Sequence, residues 1–360
     1  MKSYRILIHP DAYKKAEAYR LELTRNAATQ AGFYLQQQLQ GKDISTLSTE
    51  KFIECLLATK PPLIFAESSV YGNGKDWNHT ELSILGDIGV AAGVQVYDNG
   101  KHINPDAHKT PFPATLLFIP GALLRNDTNN TPADWDEVIK DNQIDSPAYQ
   151  ALYERRLLPL LIYANNQAKA EGKTAFITLP GLGCGQFAGR FIGRMGTYLK
   201  DAIIALLQKQ TAHLPHLRAV YFDPYNECQN ERIEFGTTSL LIRPLRQGNQ
   251  NKPQLCEPSH YAEDSDDFSD CLLYSVVAWD HVSWPGNDFY GGARATDDGV
   301  KAAATNSMTA MTGIQGNYNR MSNTYDPPAN YQNWAAVIRQ HHLRLIVQNN
   351  LSVLPDNSVC

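Results

Sequence analysis

Eight short apolar runs, rich in β-branched and aromatic side chains, recur along the chain at 63–66, 94–97, 115–119, 174–179, 219–222, 239–242, 272–278 and 343–347. Runs of that length and composition predict strands. Between several of them the apolar period changes. Met195, Tyr198, Leu199, Ala202, Ile203, Leu206 and Leu207 fall on one helical face, and Val300, Ala303, Ala304, Ser307, Met308 and Met311 repeat the pattern. Spacings of three and four are those of an amphipathic helix laid on a core. Strand and helix therefore alternate, which predicts an α/β fold with a sheet covered on both faces. Residues 11–40 are polar, helix-prone and without a chemical motif, and predict a helical cap on the domain. The runs 247–252 and 264–270, rich in Gln, Asn, Asp and Ser, predict exposed loops.

Composition narrows the class. With 360 residues and 43% apolar side chains the chain can bury a large core, as one elaborated domain or two ordinary ones. No apolar run approaches the roughly 20 residues of a membrane helix, and Met1-Lys2-Ser3-Tyr4 leads into mixed polar sequence unlike a signal peptide. No membrane residence is expected. A net charge of −5 gives no basic footprint for nucleic acid, although a local pocket for phosphates is compatible with it. The six cysteines are spread singly, without a CxxC pair or a Cys/His cluster at ligand spacing, so reduced thiols and no metal site are expected.

The chemistry concentrates in two places. The run 174–180, Thr-Ala-Phe-Ile-Thr-Leu-Pro, continues as Gly181-Leu182-Gly183-Cys184-Gly185-Gln186-Phe187-Ala188-Gly189 and then enters a helix. Glycines let backbone approach an anion and turn successive N–H groups toward its oxygens. A helix start adds free N–H groups and a positive dipole end, and the two glycine-led helices, near 195 and 300, are together expected to hold a pyrophosphate. A ligand-free strand-to-helix turn is the plain alternative. Gly183 to Ala188 also fits the relaxed G-x-G-x-x-A pattern of dinucleotide-binding folds, which keeps an NAD(P)-dependent oxidoreductase as a further reading. Its context is poor, because that site wants an acidic residue about 20 positions on at the next strand end. Here Asp201 falls inside the helix and Asp223 comes much later.

The second place is 279–299, where a strand runs into Trp-Asp280-His281 and on through Asp288, Gly291-Gly292-Ala293 and Asp297-Asp298 to a helix. Grouped carboxylates can stabilise an oxocarbenium-like state, activate water or orient a ribose hydroxyl. Each also has a structural reading: Asp297 or Asp298 as a helix N-cap, Asp280 as a receiver of strand-end donors, Asp288 as a turn residue. The positive helix end is expected to keep a carboxylate there ionised.

These two stretches resemble the second phosphate loop and the catalytic loop of macrodomains. The run Leu179-Pro-Gly-Leu-Gly-Cys-Gly-Gln-Phe-Ala-Gly189 is similar to a strand ending in Pro and small residues before an aromatic, with Gln186 where an aliphatic residue is more usual. Val277-Ala-Trp-Asp280 stands where macrodomains carry an Asn-Ala-Ala-Asn-like segment, and Gly291-Gly292-Ala293 stands for the glycine turn. The two loops come in reversed chain order. The resemblance implies a macrodomain-like three-layer α/β/α sandwich with a mixed sheet and rearranged or permuted loop order, formed by residues 61–360 with an N-terminal helical extension over 1–60. It implies ADP-ribose as ligand or product, held by Gly181, Leu182, Gly183, Cys184, Gly185, Gln186, Phe187, Gly291, Gly292 and Ala293. Phe187 would pack near the proximal ribose, Asp280 would fix that ribose, Asp288 would face the scissile bond, and Asp298 would orient ribose or water.

The spacing of the three Asp resembles, within the family, bacterial effectors that strip ADP-ribose from modified ubiquitin. The implied function is hydrolysis of an ADP-ribosyl link on a protein, arginine-modified ubiquitin above all, by a secreted effector in the host cytosol, without cofactor or metal. A macrodomain that binds ADP-ribose without cutting is the alternative. The resemblance further implies an acidic residue for the adenine, Glu263 or Asp264, and adenosine contacts after a strand at Tyr225 and Asn226. The turn-rich stretch 69–79 could contact ligand or partner, Cys184 with His281 could suggest a cysteine hydrolase, and His341-His342 is expected to be structural.

Overall fold

The computed structural model describes residues 3–25, 30–64, 70–291 and 294–356. In chain order its strands are β1 (Tyr4–Ile8), β2 (Ile88–Asp98), β3 (Ala107–Pro120), β4 (Ile139–Lys140), β5 (Gln143–Ile144), β6 (Thr174–Pro180), β7 (Leu217–Asp223), β8 (Glu231–Phe235), β9 (Thr238–Ile242), β10 (Cys271–Trp279), β11 (Asn317–Asn319), β12 (Thr324–Asp326) and β13 (Leu351–Val353). Nine of them form one sheet in the order β13-β1-β2-β3-β10-β6-β7-β9-β8. β3, β10, β6, β7 and β9 run parallel, while β1, β2 and β8 each pair antiparallel with a neighbour. β6 and β10 are buried almost end to end, as parallel strands covered on both faces must be.

The chain travels outward from β6 to β7 and β9, then returns so that β10 inserts between β3 and β6. That return absorbs the reversed loop order. Trp279 pairs with Pro120 and Ser275 with Thr178, so β3, β6 and β10 end at one edge of the sheet. Open α/β sheets bind ligands at such carboxyl ends.

One face is covered by the helices Ser146–Ala170 and Met195–Gln210, whose Leu160, Leu199 and Ile203 share a core with Ile177, Val220 and Val276. The other is covered by Asp297–Ala304, Ser307–Thr312 and Trp334–Gln340 and by helices from the first 85 residues. The result is the three-layer sandwich. Residues 1–60 supply the helices Pro10–Arg25, Phe33–Leu39 and Thr49–Leu57, and they also supply β1, paired with β2 and β13. These helices share one apolar cluster with the sheet.

Three local expectations change. The run 343–347 is not a strand: Ile346 N–H donates to Tyr4 Oη at 2.7 Å and Val347 N–H to Glu54 Oε2 at 3.0 Å, leaving no ladder to form. In 63–66, Leu63 takes φ +63° outside any strand, and 65–66 lie outside the described residues. The helical pattern 300–311 is cut at Thr305, which adopts an extended backbone and bridges Val96 of β2.

Candidate functional site

The β6 loop is shaped by close backbone approach. Gly183 has φ +70°, and a Cβ on it would meet the Ala122 nitrogen at 2.8 Å. Across from it, a Cβ on Gly121 would lie 2.2 Å from the Gly183 nitrogen, so the loops after β3 and β6 can touch because both carry glycine. Among the described residues no hydrogen bond uses the N–H of Gly183, Gly185, Gln186 or Phe187. These donors are free for an anion. The start of the helix Met195–Gln210 is not, because Gly196 N–H already donates to Glu227 Oε2 at 2.6 Å. The other helix start carries the carboxyls of Asp297 and Asp298 in its first turn, which makes it a poor anion site. The two helix ends are therefore not the pair of free anion sites that the sequence suggests; the unused donors are those of the β6 loop.

Facing that loop across a cavity of about 260 Å³ are Asp280, Asp288, Asp297 and Asp298. Gly121, Gly181, Gly183, Gly185, Gln186 and Phe187 line the opposite wall, with Ile64, Ala278, Trp279 and Thr296 between. Asp280 follows β10 and folds the turn after it: Oδ1 accepts from Val282 N–H at 2.7 Å and Ser283 N–H at 2.6 Å, and the Ser283 hydroxyl donates to Oδ2. Asp288 accepts from the Thr296 hydroxyl and, at 3.3 Å, from Asn287 Nδ2. Asp298 is buried and accepts from Gly286 N–H at 2.8 Å. Asp297 accepts from Ala278 N–H at 2.7 Å and pairs with buried Lys301 at 2.9 Å.

Electrostatics separates these carboxyls. Burial, reinforced by the charges of Asp288 and Asp280, pushes Asp298 well above the usual carboxylate range. Burial also raises Asp288, with the Thr296 hydrogen bond working against it and the Asp280 charge adding to it. Loss of water and like-charge crowding outweigh the helix end, so the expectation that this end keeps a carboxylate ionised does not hold for Asp298. Nor is either Asp the helix cap, since Thr296 Oγ1 accepts from Gly299 N–H at 3.2 Å.

Of the other sequence candidates, Leu182 and Cys184 are buried under the loop, and Gly292 and Ala293 lie outside the described residues. Gly291 ends the short turn Asn287–Gly291. Cys184 points its thiol at the Leu182 carbonyl, and burial drives its pKa far up, while His281 Nε2 contacts Asp134 at 3.2 Å. Separately engaged, they form no nucleophile–base pair. Tyr225 and Asn226 follow β7 at the same sheet edge but do not line the cavity, and Tyr225 is half exposed against Arg246. Glu263 is held by Arg243 at 2.6 Å, and Asp264 is exposed, both away from the cavity. His341 contacts the Tyr331 hydroxyl at 2.6 Å. Asp223, the acid at the next strand end, is buried, and its Oδ1 accepts from Tyr225 and Leu245 N–H groups at 2.8 Å each, which commits that oxygen to its own turn.

Gly121 and Thr296 escaped the sequence reading, and Asp297 entered it only as a helix-cap candidate. Gly121 carried a signal, since Ile119-Pro120-Gly121 repeats the strand-Pro-Gly ending of Leu179-Pro180-Gly181. Ile64 carried none: Asn287 brings it to the cavity by accepting from its N–H at 2.8 Å.

Compared with known families, residues 4–331 match the one described as macrodomain effector MavL. The chain belongs to this family. No curated protein matched it. Membership in the macrodomain effector MavL family gives the sheet its class and makes the function an ADP-ribose-related one. Among the described residues no helix is long and apolar enough to cross a membrane, and no group of three or more His, Cys, Asp or Glu is arranged to hold a metal ion.

Proposed function

We propose that this macrodomain hydrolyses the bond between ADP-ribose and a modified protein side chain, with mono-ADP-ribosylated arginine of ubiquitin as substrate. The observation that supports this reading is the pairing, across one cavity, of unused backbone donors with four carboxyls, two of them with raised pKa. Donors without a protein partner suit a diphosphate, and carboxyls suit the positive charge that develops at the anomeric carbon. The diphosphate would lie on Gly183 to Phe187, the proximal ribose between Phe187 and Asp280, and the adenosine would run toward Tyr225 and Asn226.

Water would add its oxygen to the anomeric carbon and the C–N bond would break. One water proton would pass to a carboxylate and the departing guanidine nitrogen would receive one. A carboxyl with raised pKa is the better base when ionised and remains a usable acid nearer neutrality. Asp288, half-buried and hydroxyl-bonded, suits the base, whereas buried Asp298 suits the proton-bearing form. Asp280 is the ribose-positioning residue, because its own turn fixes it. These groups suffice without cofactor or metal, so EDTA should leave the rate unchanged.

The test is incubation with mono-ADP-ribosylated ubiquitin and with an ADP-ribosylated arginine peptide, followed by mass spectrometry. Release of ADP-ribose with unmodified arginine is expected, faster from ubiquitin. Equal rates would remove ubiquitin preference. Tight binding with no release over many hours would make the protein a reader, and NADH binding without ADP-ribose binding would favour an oxidoreductase.

A further inference from the structure

Lys60 follows the helix Thr49–Leu57 and is 3% exposed, a burial that lysine rarely tolerates without a paired charge. Its Nζ donates to the Asp280 carbonyl at 3.0 Å and lies 3.9 Å from the centre of the Trp279 ring. The chain after it forms a strap over the acidic loop. Pro61 O accepts from Trp284 N–H at 3.1 Å, and Ile64 N–H donates to Asn287 Oδ1 at 2.8 Å. Methionine would fill the same apolar space at less desolvation cost, so packing alone does not account for an ammonium here.

We propose that Lys60 is a positioning residue for this cavity, whose ammonium holds the Asp280 turn and offsets the carboxyl charge so that an anionic diphosphate can bind beside it. The inference rests on the ADP-ribose reading and adds a group outside the lining of the cavity. Without a counter-charge, the ionised carboxylates among these groups would oppose a ligand that brings two further negative charges. Lys301 pairs with Asp297 at 2.9 Å, whereas the charge of Asp280, together with that of Asp298, acts on Lys60.

Burial draws the Lys60 pKa down to about 7, against the opposing pull of Asp280 and Asp298. The other charges around the strap are engaged elsewhere. Arg339, on the helix Trp334–Gln340, donates to Pro62 O at 3.1 Å; Glu54, on Lys60's own side, pairs with Lys51 and accepts from Val347 N–H; and His281 is turned to Asp134. Asp288 and Asp298 also titrate above the ordinary range, so pH alone does not isolate the lysine.

The experiment is calorimetric titration of ADP-ribose into the full chain and into Lys60→Met, Lys60→Gln and Lys60→Arg, at about pH 6 and about pH 8.5. At the lower pH the neutral variants should bind about tenfold more weakly than the native protein, a coupling of ordinary size for one nearby charge. At the higher pH the native lysine has lost its proton, and the gap should close to less than about threefold. Lys60→Arg, charged at both, should keep native affinity at the lower pH and exceed the native protein at the higher. A gap of the same size at both pH values, or neutral variants equal to native at the lower, overturns the role. Thermal melts confirm which variants are folded, and either neutral variant alone decides the comparison. Absence of ADP-ribose binding by the native protein at both pH values would instead sink the ligand assignment, and this inference with it.

Discussion

Asp298 is an expensive residue to fold. Its pKa is raised in the folded chain, so folding binds a proton more tightly than the unfolded chain does, and stability declines as pH climbs from about 4 through the raised value. Asn keeps an oxygen for the Gly286 N–H and cannot ionise. Asp298→Asn should therefore leave Tm near native at about pH 4 and raise it at about pH 7, while turnover drops about a hundredfold or more. A neutral-pH Tm below native, with turnover intact, would contradict both halves. Asp280→Ala should behave oppositely in stability, lowering Tm, because it removes the carboxylate that accepts from the Val282 and Ser283 N–H groups and from the Ser283 hydroxyl. The sequence made Asp280, Asp288 and Asp298 visible because carboxylates clustered beside glycine are an uncommon pattern. Asp297 was hidden by its neighbour: both looked like cap residues, and the cap is Thr296.

The loops that meet at the cavity owe their spacing to glycine. With Gly121 only 2.2 Å, at a would-be Cβ, from the Gly183 nitrogen, Gly121→Ala must push the β3 and β6 loops apart. It should cost about 1–3 kcal/mol in chemical denaturation and abolish ADP-ribose binding, whereas Gly185→Ala, which meets nothing within 4 Å, should fold as the native chain does. Equal stability of the two variants would refute the contact. β6 and β10 were legible as elements because strands buried on both faces read as unbroken apolar runs. The run 343–347 reads the same way and is no strand, since its N–H groups end on side chains of Tyr4 and Glu54, distant in sequence. The helix pattern 300–311 likewise ignored Thr305 and Asn306, which β2 captures through Val96 and Gln95.

Across the whole molecule the site is tied to the opposite helical layer by buried charge. Arg156 is fully buried on Ser146–Ala170, pairs with Asp134 at 2.6 Å and Asp87 at 3.1 Å, and donates to the Gly121 carbonyl at 3.0 Å. Removing the cation leaves buried Asp134 with His281 alone at 3.2 Å while Asp87 keeps Arg155 at 2.7 Å, so Arg156→Met should cost about 3 kcal/mol of stability, measured by denaturant unfolding. A loss below about 1 kcal/mol would mean that the network is dispensable. Arg156 and His281 hold Asp134 far below the usual carboxylate range against its burial. Its contribution is thus present above the unfolded value near 4 and is lost as pH falls below it. Layer class was readable from alternating periods, but the insertion of β10 between β3 and β6 was not. Ser275 finds Thr178 across 97 residues of chain, and no local pattern encodes such a pairing.

If the β6 loop and the acidic loop form a single ADP-ribose site, calorimetry of ADP-ribose against the native chain and Gly185→Glu will show it. A side chain at Gly185 meets open space, so the variant should keep its Tm while setting a carboxylate among the unused N–H groups. One ADP-ribose bound per native chain, with affinity lowered about a hundredfold or more in Gly185→Glu, is the expected result. No binding by the native chain, or equal binding by a folded Gly185→Glu, would contradict it.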